Sequence, residues 1–252
     1  MYINLLKEQG DNMNLEVYND YNELSQEAAK LICSVVCAKP SSLLCLAAGY
    51  TPLGIYKSLV EYARKNEVDF SSCKFVGLDE WVGLGIEDEG SCIKFMYENL
   101  FNPLGILASN IAFFDGKASD LEEECRRIDR FVFENGPIEL VLLGIGMNGH
   151  IGFNEPGTNF CTYSHIAVLD DITKEVGQKY FPFHRDLEKG LTLGIKHFLQ
   201  AKNVVLVASG TGKADIIKRT IELPPDIKIP ATALKLHQNF YLLLDKDAAS
   251  LL

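Results

Sequence analysis

At 252 residues the chain is long enough to bury a full hydrophobic core, and its 47% hydrophobic and 23% charged residues are those of a soluble globular protein, not a disordered or membrane-embedded one. A formal net charge of -10 excludes broad binding to nucleic acid or to an anionic membrane, since both need basic surface. If the ligand is itself an anion, a local cluster of backbone donors and lysines must reverse the overall field.

The opening segment MYINLLKEQGDNMN lacks a basic start followed by a long apolar run, and nowhere do about 18 apolar residues run uninterrupted. A cytoplasmic protein without a leader or a membrane span is expected. The seven cysteines are scattered and odd in number, with no C-x-x-C pair, which argues against a disulfide framework or a zinc site. Cys33 and Cys37 stand four apart in a helical pattern and read as small core residues.

In chain order, a helical pattern over 21–36 leads into an apolar strand, LLCLAAG at 43–49, then a helix over 52–66 in which Ile55, Leu59 and Tyr62 share a face. CKFVGLDEW at 73–81 reads as the next strand, LEEECRRIDRFVFEN at 121–135 as a helix, and IELVLLGIG at 138–146, NVVLVASG at 203–210 and FYLLLD at 240–245 as further strands. LPPDIKIP at 223–230 reads as a loop before the last strand. Strands with nearly continuous apolar runs, alternating with amphipathic helices, predict one α/β domain over 1–252. Its sheet is mostly parallel, with helices on both faces. In such folds ligands gather outside the carboxyl ends of the strands.

Four strand ends carry candidate chemistry. At the first, Gly49, Tyr50 and Thr51 form a tight turn, with Thr51 as the expected cap and Pro52 as the first helical residue, so that N–H groups converge on one spot suited to phosphate; a well-capped helix alone gives the same pattern. At the second, Asp79 and Glu80 precede Trp81, and Asp79 is a candidate general base whose solvation the indole can limit; a turn aspartate bonding its own backbone is the plain alternative.

The third end, LLGIGMNGHIGFNEPG at 142–157, spells G-x-G-x-x-G with Asp170 and Asp171 further on, like a dinucleotide fingerprint. Gly152, Pro156 and Gly157 interrupt the helix that such a fingerprint needs, so the stretch is expected to remain a loop, presenting Asn148, His150 and Glu155 for proton shuttling. Zinc binding there is disfavoured because no H-E-x-x-H or third nearby ligand appears. The fourth end runs from Ser209 to Lys213 and only superficially resembles a P-loop, since its glycines are two apart and Ala214 follows the lysine. What remains is a helix start bearing Lys213, a partner for a phosphate monoester.

The succession AAGYTPLGIYK, FVGLDEWVGL, SCIKFMYENLF, LLGIGMNGHIGFNEPG, LTLGIKHFLQAKNVVLVASGTGKA and ATALKLHQNFYLLLD resembles the glucosamine-6-phosphate deaminase/isomerase family over almost the whole chain, with GHIGFNEP its most specific stretch. The resemblance implies a modified Rossmann-like sheet and conversion of an amino-sugar 6-phosphate into a ketose 6-phosphate plus ammonia, with no metal or organic cofactor. It makes Asp79 the base that moves a proton between C2 and C1, and His150 the group that opens the sugar ring with Glu155 assisting. Gly49, Tyr50 through its backbone, Thr51, Lys213 and Lys174 become the phosphate holders. Asn148 stands where some members carry aspartate and acts there by hydrogen bonding, and Lys174 stands where some carry arginine. LDEWV followed by GSC looks more like the galactosamine-6-phosphate subgroup, and both sugars stay open. The partner implied is a small amino-sugar phosphate, and a homo-oligomer is compatible with the sequence. Two rival readings are a 6-phosphogluconolactonase, against which Glu155 and the I-G-F-N-E-P run speak, and a sugar-phosphate sensor without turnover.

Overall fold

A computed structural model describes residues 13–252; the opening segment read above for a leader lies largely outside the described residues. Seven parallel strands form the main sheet in the order β1, β10, β9, β6, β2, β3, β5. They are β1 (Met13–Tyr18), β2 (Leu43–Leu46), β3 (Lys74–Val76), β5 (Ile111–Ala112), β6 (Ile138–Leu143), β9 (Asn203–Ala208) and β10 (Phe240–Asp245). Alternation along the central strands feeds two cores. Leu43 and Cys45 of β2 and Val141 and Leu143 of β6 join one, while Leu44 and Leu46, Leu140 and Leu142 join the other.

Helices cover both faces. On one side lie α1 (Tyr21–Ala38), α2 (Leu53–Arg64) and α3 (Cys92–Met96), which runs on into a π-turn at Tyr97–Phe101; on the other lie α4 (Leu121–Asn135), α6 (Ile195–Gln200) and α7 (Ala214–Glu222). The predicted helices over 21–36, 52–66 and 121–135 are present as α1, α2 and α4. The buried face of α1 is Leu24, Ser25, Ala28, Ala29, Ile32 and Val36, so Cys33 is only half-buried and Cys37 is exposed, in contrast to their expected core role. Among the described residues no helix is long and apolar enough to cross a membrane.

The expected single strand over 73–81 is two strands in different sheets. β3 ends at Val76, Gly77 donates its N–H to Ala112 (2.8 Å) at a point where a Cβ would press on the Phe113 ring at 2.7 Å, and the chain then enters β4 (Asp79–Trp81). β4 pairs antiparallel with β8 (Lys189–Thr192), which pairs antiparallel with β7 (His165–Val168). Asp79 therefore begins a small second sheet, opposite Thr192.

Where the chain leaves β8 it passes close to the segment that enters β7, at Gly194. A Cβ there would lie 2.1 Å from the Thr162 carbonyl oxygen and 2.2 Å from that of Tyr163, both backbone atoms with no rotamer to yield. Gly194→Ala is expected to cost about 1–3 kcal/mol, as overpacking does, read as a lower urea midpoint at unchanged slope; an unchanged midpoint would mean that this contact relaxes freely.

In the main sheet, β2 leads outward through β3 to β5 on one side and the chain returns to β6 on the other. The strand order thus reverses between β2 and β6, and their carboxyl ends open the crevice where open α/β sheets take ligands.

Candidate active site

A cavity of about 300 Å³ fills that crevice. The turn after β2 (Gly49 to Pro52), the start of β4 with Asp79 and Trp81, the loop after β6 with Gly146 and His150, and Lys213 all line it, so four strand ends singled out in the sequence converge. A fifth segment joins them: α5 (Asp171–Gly177) with its 3-10 continuation Gln178–Tyr180 contributes Thr173, Lys179 and Tyr180.

Asp79 is half-buried. Burial pushes its carboxyl up to about 6, against a hydrogen bond from Cys92 and the charge of His150, which both favour ionisation. Its neighbour Glu80 is fully buried, where Oε1 accepts from the Trp81 and Cys92 N–H groups and Oε2 from Ile93, each at 2.9 Å. Burial raises this carboxyl while the backbone N–H groups of Ile93 and Cys92, at the start of α3, and of Trp81 oppose the rise. Glu80 thereby fixes β4 to α3 and holds Asp79 in place. Trp81 packs on Phe153 at 4.5 Å and Phe181 at 6.0 Å, making an aromatic wall beside the carboxylate.

The loop after β6 carries no helix before β7, as its glycines and Pro156 predict. Gly146 is required by contact: a Cβ there would meet the His150 ring at 2.3 Å. His150 Nδ1 lies 2.9 Å from Thr173 Oγ1 and 3.4 Å from Glu155 Oε2. Asn148 Nδ2 donates to the same Glu155 oxygen at 2.9 Å, and its Oδ1 accepts from the His150 N–H at 3.1 Å. Burial pushes the Glu155 carboxyl upward, but hydrogen bonding and charge from His150, with Thr173 and Asn148, outweigh it and leave the carboxyl below its ordinary value. Asn148 and Glu155 stand behind His150 and not on the cavity wall.

At the other end, α2 begins one residue later than expected and Thr51 does not cap it. The Tyr21 hydroxyl does so instead, accepting from the Gly54 N–H at 2.7 Å and donating to the Thr51 carbonyl at 2.9 Å. Gly49 has φ 110, a left-handed conformation reserved for glycine, and the Tyr180 hydroxyl lies 3.0 Å from where its Cβ would stand. The Tyr50 ring turns outward, 53% exposed, stacks on Tyr180 at 5.2 Å and donates its hydroxyl to the Lys179 carbonyl at 3.3 Å, so it leaves the turn open.

Lys213 donates to the Ile145 carbonyl at 2.6 Å, and burial, with the nearby charge of Lys179, brings its ammonium down to about 8. The loop before it is anchored from β10: Asp245 accepts from the Ser209 hydroxyl, the Gly210 N–H (3.0 Å) and the Ala248 N–H (2.8 Å). Burial also lowers the Lys179 ammonium, so two partly desolvated lysines face this end of the cavity.

Lys174 is not among the cavity residues. It pairs with Glu188 at 3.3 Å and Asp171 at 3.7 Å, and Lys179 occupies the place assigned to it. Thr173 and Gly177 form the buried face of α5, so Lys174 is turned about 100° away from it. Sequence reasoning missed Thr173, Lys179 and Tyr180, since no short motif marks them and a seven-residue helix carries too little period to reveal its inner face.

A Rossmann-like crevice lined by a carboxylate, an imidazole and two lysines is a ligand site of the kind that open α/β sheets carry at their strand ends. The chain belongs to the family of glucosamine-6-phosphate isomerases and 6-phosphogluconolactonases, whose model matches residues 19–242. It is 43% identical over 239 residues to a glucosamine-6-phosphate deaminase of Clostridium novyi (strain NT), covering 94% of this chain and 99% of that one. It is 41% identical over 234 residues to a glucosamine-6-phosphate deaminase of Thermoanaerobacter sp. (strain X514), covering 92% of each. A solved structure described as a monomeric glucosamine-6-phosphate deaminase superposes with a TM-score of 0.93 at 37% identity, over 95% of this chain and 100% of that one. A 6-phosphogluconolactonase from Thermotoga maritima superposes at 0.73 and 17% identity, over 93% of this chain and 100% of that one, a likeness of fold alone.

Proposed function

We infer that the protein, acting as one domain, converts a 2-amino-2-deoxyhexose 6-phosphate, the glucosamine or galactosamine ester, and water into the ketose 6-phosphate and ammonia. The observation that carries this reading is the pairing, in one cavity, of a raised carboxyl at Asp79 with a separate His150 backed by Glu155. Lactone hydrolysis needs one activated water, whereas ring opening followed by enolisation needs two proton handlers.

In this mechanism Lys213, Lys179 and the turn after β2 hold the phosphate. His150 takes the proton from the C1 hydroxyl and returns it to the ring oxygen as the C1–O5 bond breaks, giving the open aldehyde. Asp79 then removes the C2 proton, an enolamine forms, and the proton is returned to C1. The resulting C2 imine takes up water and releases ammonia. Ammonia release from both amino-sugar 6-phosphates, assayed beside hydrolysis of 6-phosphogluconolactone, tests the reading. Turnover of the lactone alone would overturn it, and binding of the amino sugars without turnover would make the protein a sensor.

A further inference from the structure

The direct contact between Glu155 and the His150 ring is a long one. Oε2 is 3.4 Å from Nδ1, and Oε1 is buried without a partner. Thr173 Oγ1, from α5, is at 2.9 Å and the side chain is 4% exposed. Counting hydrogens settles the direction. An ionised carboxylate only accepts, Asn148 donates to Oε2, and the Thr173 hydroxyl is among the groups whose hydrogen bonding holds the Glu155 carboxyl below its ordinary value, so its single hydrogen is assigned to the carboxylate. The hydroxyl then has only lone pairs to offer the ring, so Nδ1 must carry the imidazole proton and Nε2 is left bare.

Resting on the reading above, we propose that Thr173 is the positioning residue that bridges His150 to Glu155 and holds the imidazole as the Nδ1–H tautomer, with Nε2 free to accept the C1 hydroxyl proton. The bridge comes from the segment that also carries Lys179 and Tyr180 to the anion end, so α5 and its 3-10 turn couple phosphate capture to the readiness of the ring-opening base. Asn148 and Glu155 lie behind the imidazole, outside the cavity lining, and Thr173 reaches Nδ1 from the lining itself.

Thr173→Val keeps the shape and removes the hydroxyl; Thr173→Ser keeps the hydroxyl. For Thr173→Val we expect kcat for ammonia release to fall about 10- to 100-fold with KM within about threefold, as when a supporting hydrogen bond is lost, and Thr173→Ser to restore it. Binding of an open-chain amino-hexitol 6-phosphate, which needs no ring opening, should be unchanged in both. Nitrogen-15 NMR of the free protein should show His150 as Nδ1–H in the wild type and Thr173→Ser, and as a tautomer mixture in Thr173→Val. A wild-type Nε2–H tautomer, or a Thr173→Val protein with unchanged kcat, would overturn the proposal. If Thr173→Val does not fold, the wild-type tautomer and the Thr173→Ser rate decide. A wild type that shows the Nδ1–H tautomer but releases no ammonia would instead sink the functional reading and leave the bridge standing.

Discussion

Asp79→Asn is expected to lower kcat for ammonia release by about 10²–10⁴-fold, the range lost when a positioned general base is removed, while an open-chain amino-hexitol 6-phosphate still binds. The amide is isosteric and cannot take the C2 proton. The same substitution should stabilise the protein at neutral pH. Folding raises this carboxyl from near 4 to about 6, so the native state binds the proton more tightly than the unfolded chain does. Stability therefore falls as pH rises through the window from about 4 to 6, and above it the ionised carboxylate costs about 2–3 kcal/mol. Asparagine does not ionise and escapes that cost, which in a chain of this size is worth about 2–4 °C in Tm per kcal/mol. The gain should vanish at pH 4. A variant that kept its turnover, or lost stability at pH 7, would remove Asp79 from the role given it.

Lys213→Met is expected to lower kcat/KM for the phosphorylated substrate by about 10- to 150-fold, the equivalent of 1.5–3 kcal/mol for a hydrogen bond to a charged group. Most of the loss should fall in KM, because the phosphate is remote from C1 and C2. The decisive control is the unphosphorylated amino sugar, on which wild type and variant should be equally poor. An equal loss on both sugars would mean that Lys213 supports the fold through Ile145 and not the phosphate.

The α/β class, both helical layers and the four converging strand ends were legible because periodic apolar patterns and turn chemistry are local signals. The break between Val76 and Asp79 was not. An apolar run continues across Gly77, and the Phe113 ring that packs against Gly77 where β3 ends comes from a distant segment. The helix start at 52 was placed almost correctly, but its cap is Tyr21, thirty residues upstream, which no spacing rule finds. Of the cations, Lys213 was legible from its strand end, whereas the choice between Lys174 and Lys179 depended on how a short helix tightens into a 3-10 turn. Thr173 was invisible because its partner His150 lies twenty-three residues away across the cavity wall.

In the proposed function, the crevice keeps one carboxyl dry enough to serve as a base near neutral pH. Carbon-13 NMR titration of the Asp79 carboxyl in the free protein, assigned by its absence in Asp79→Asn, tests this directly. A midpoint near pH 6 is expected. A midpoint near pH 4 would contradict it, because a carboxyl that ionises as it does in water gains no basicity from this site.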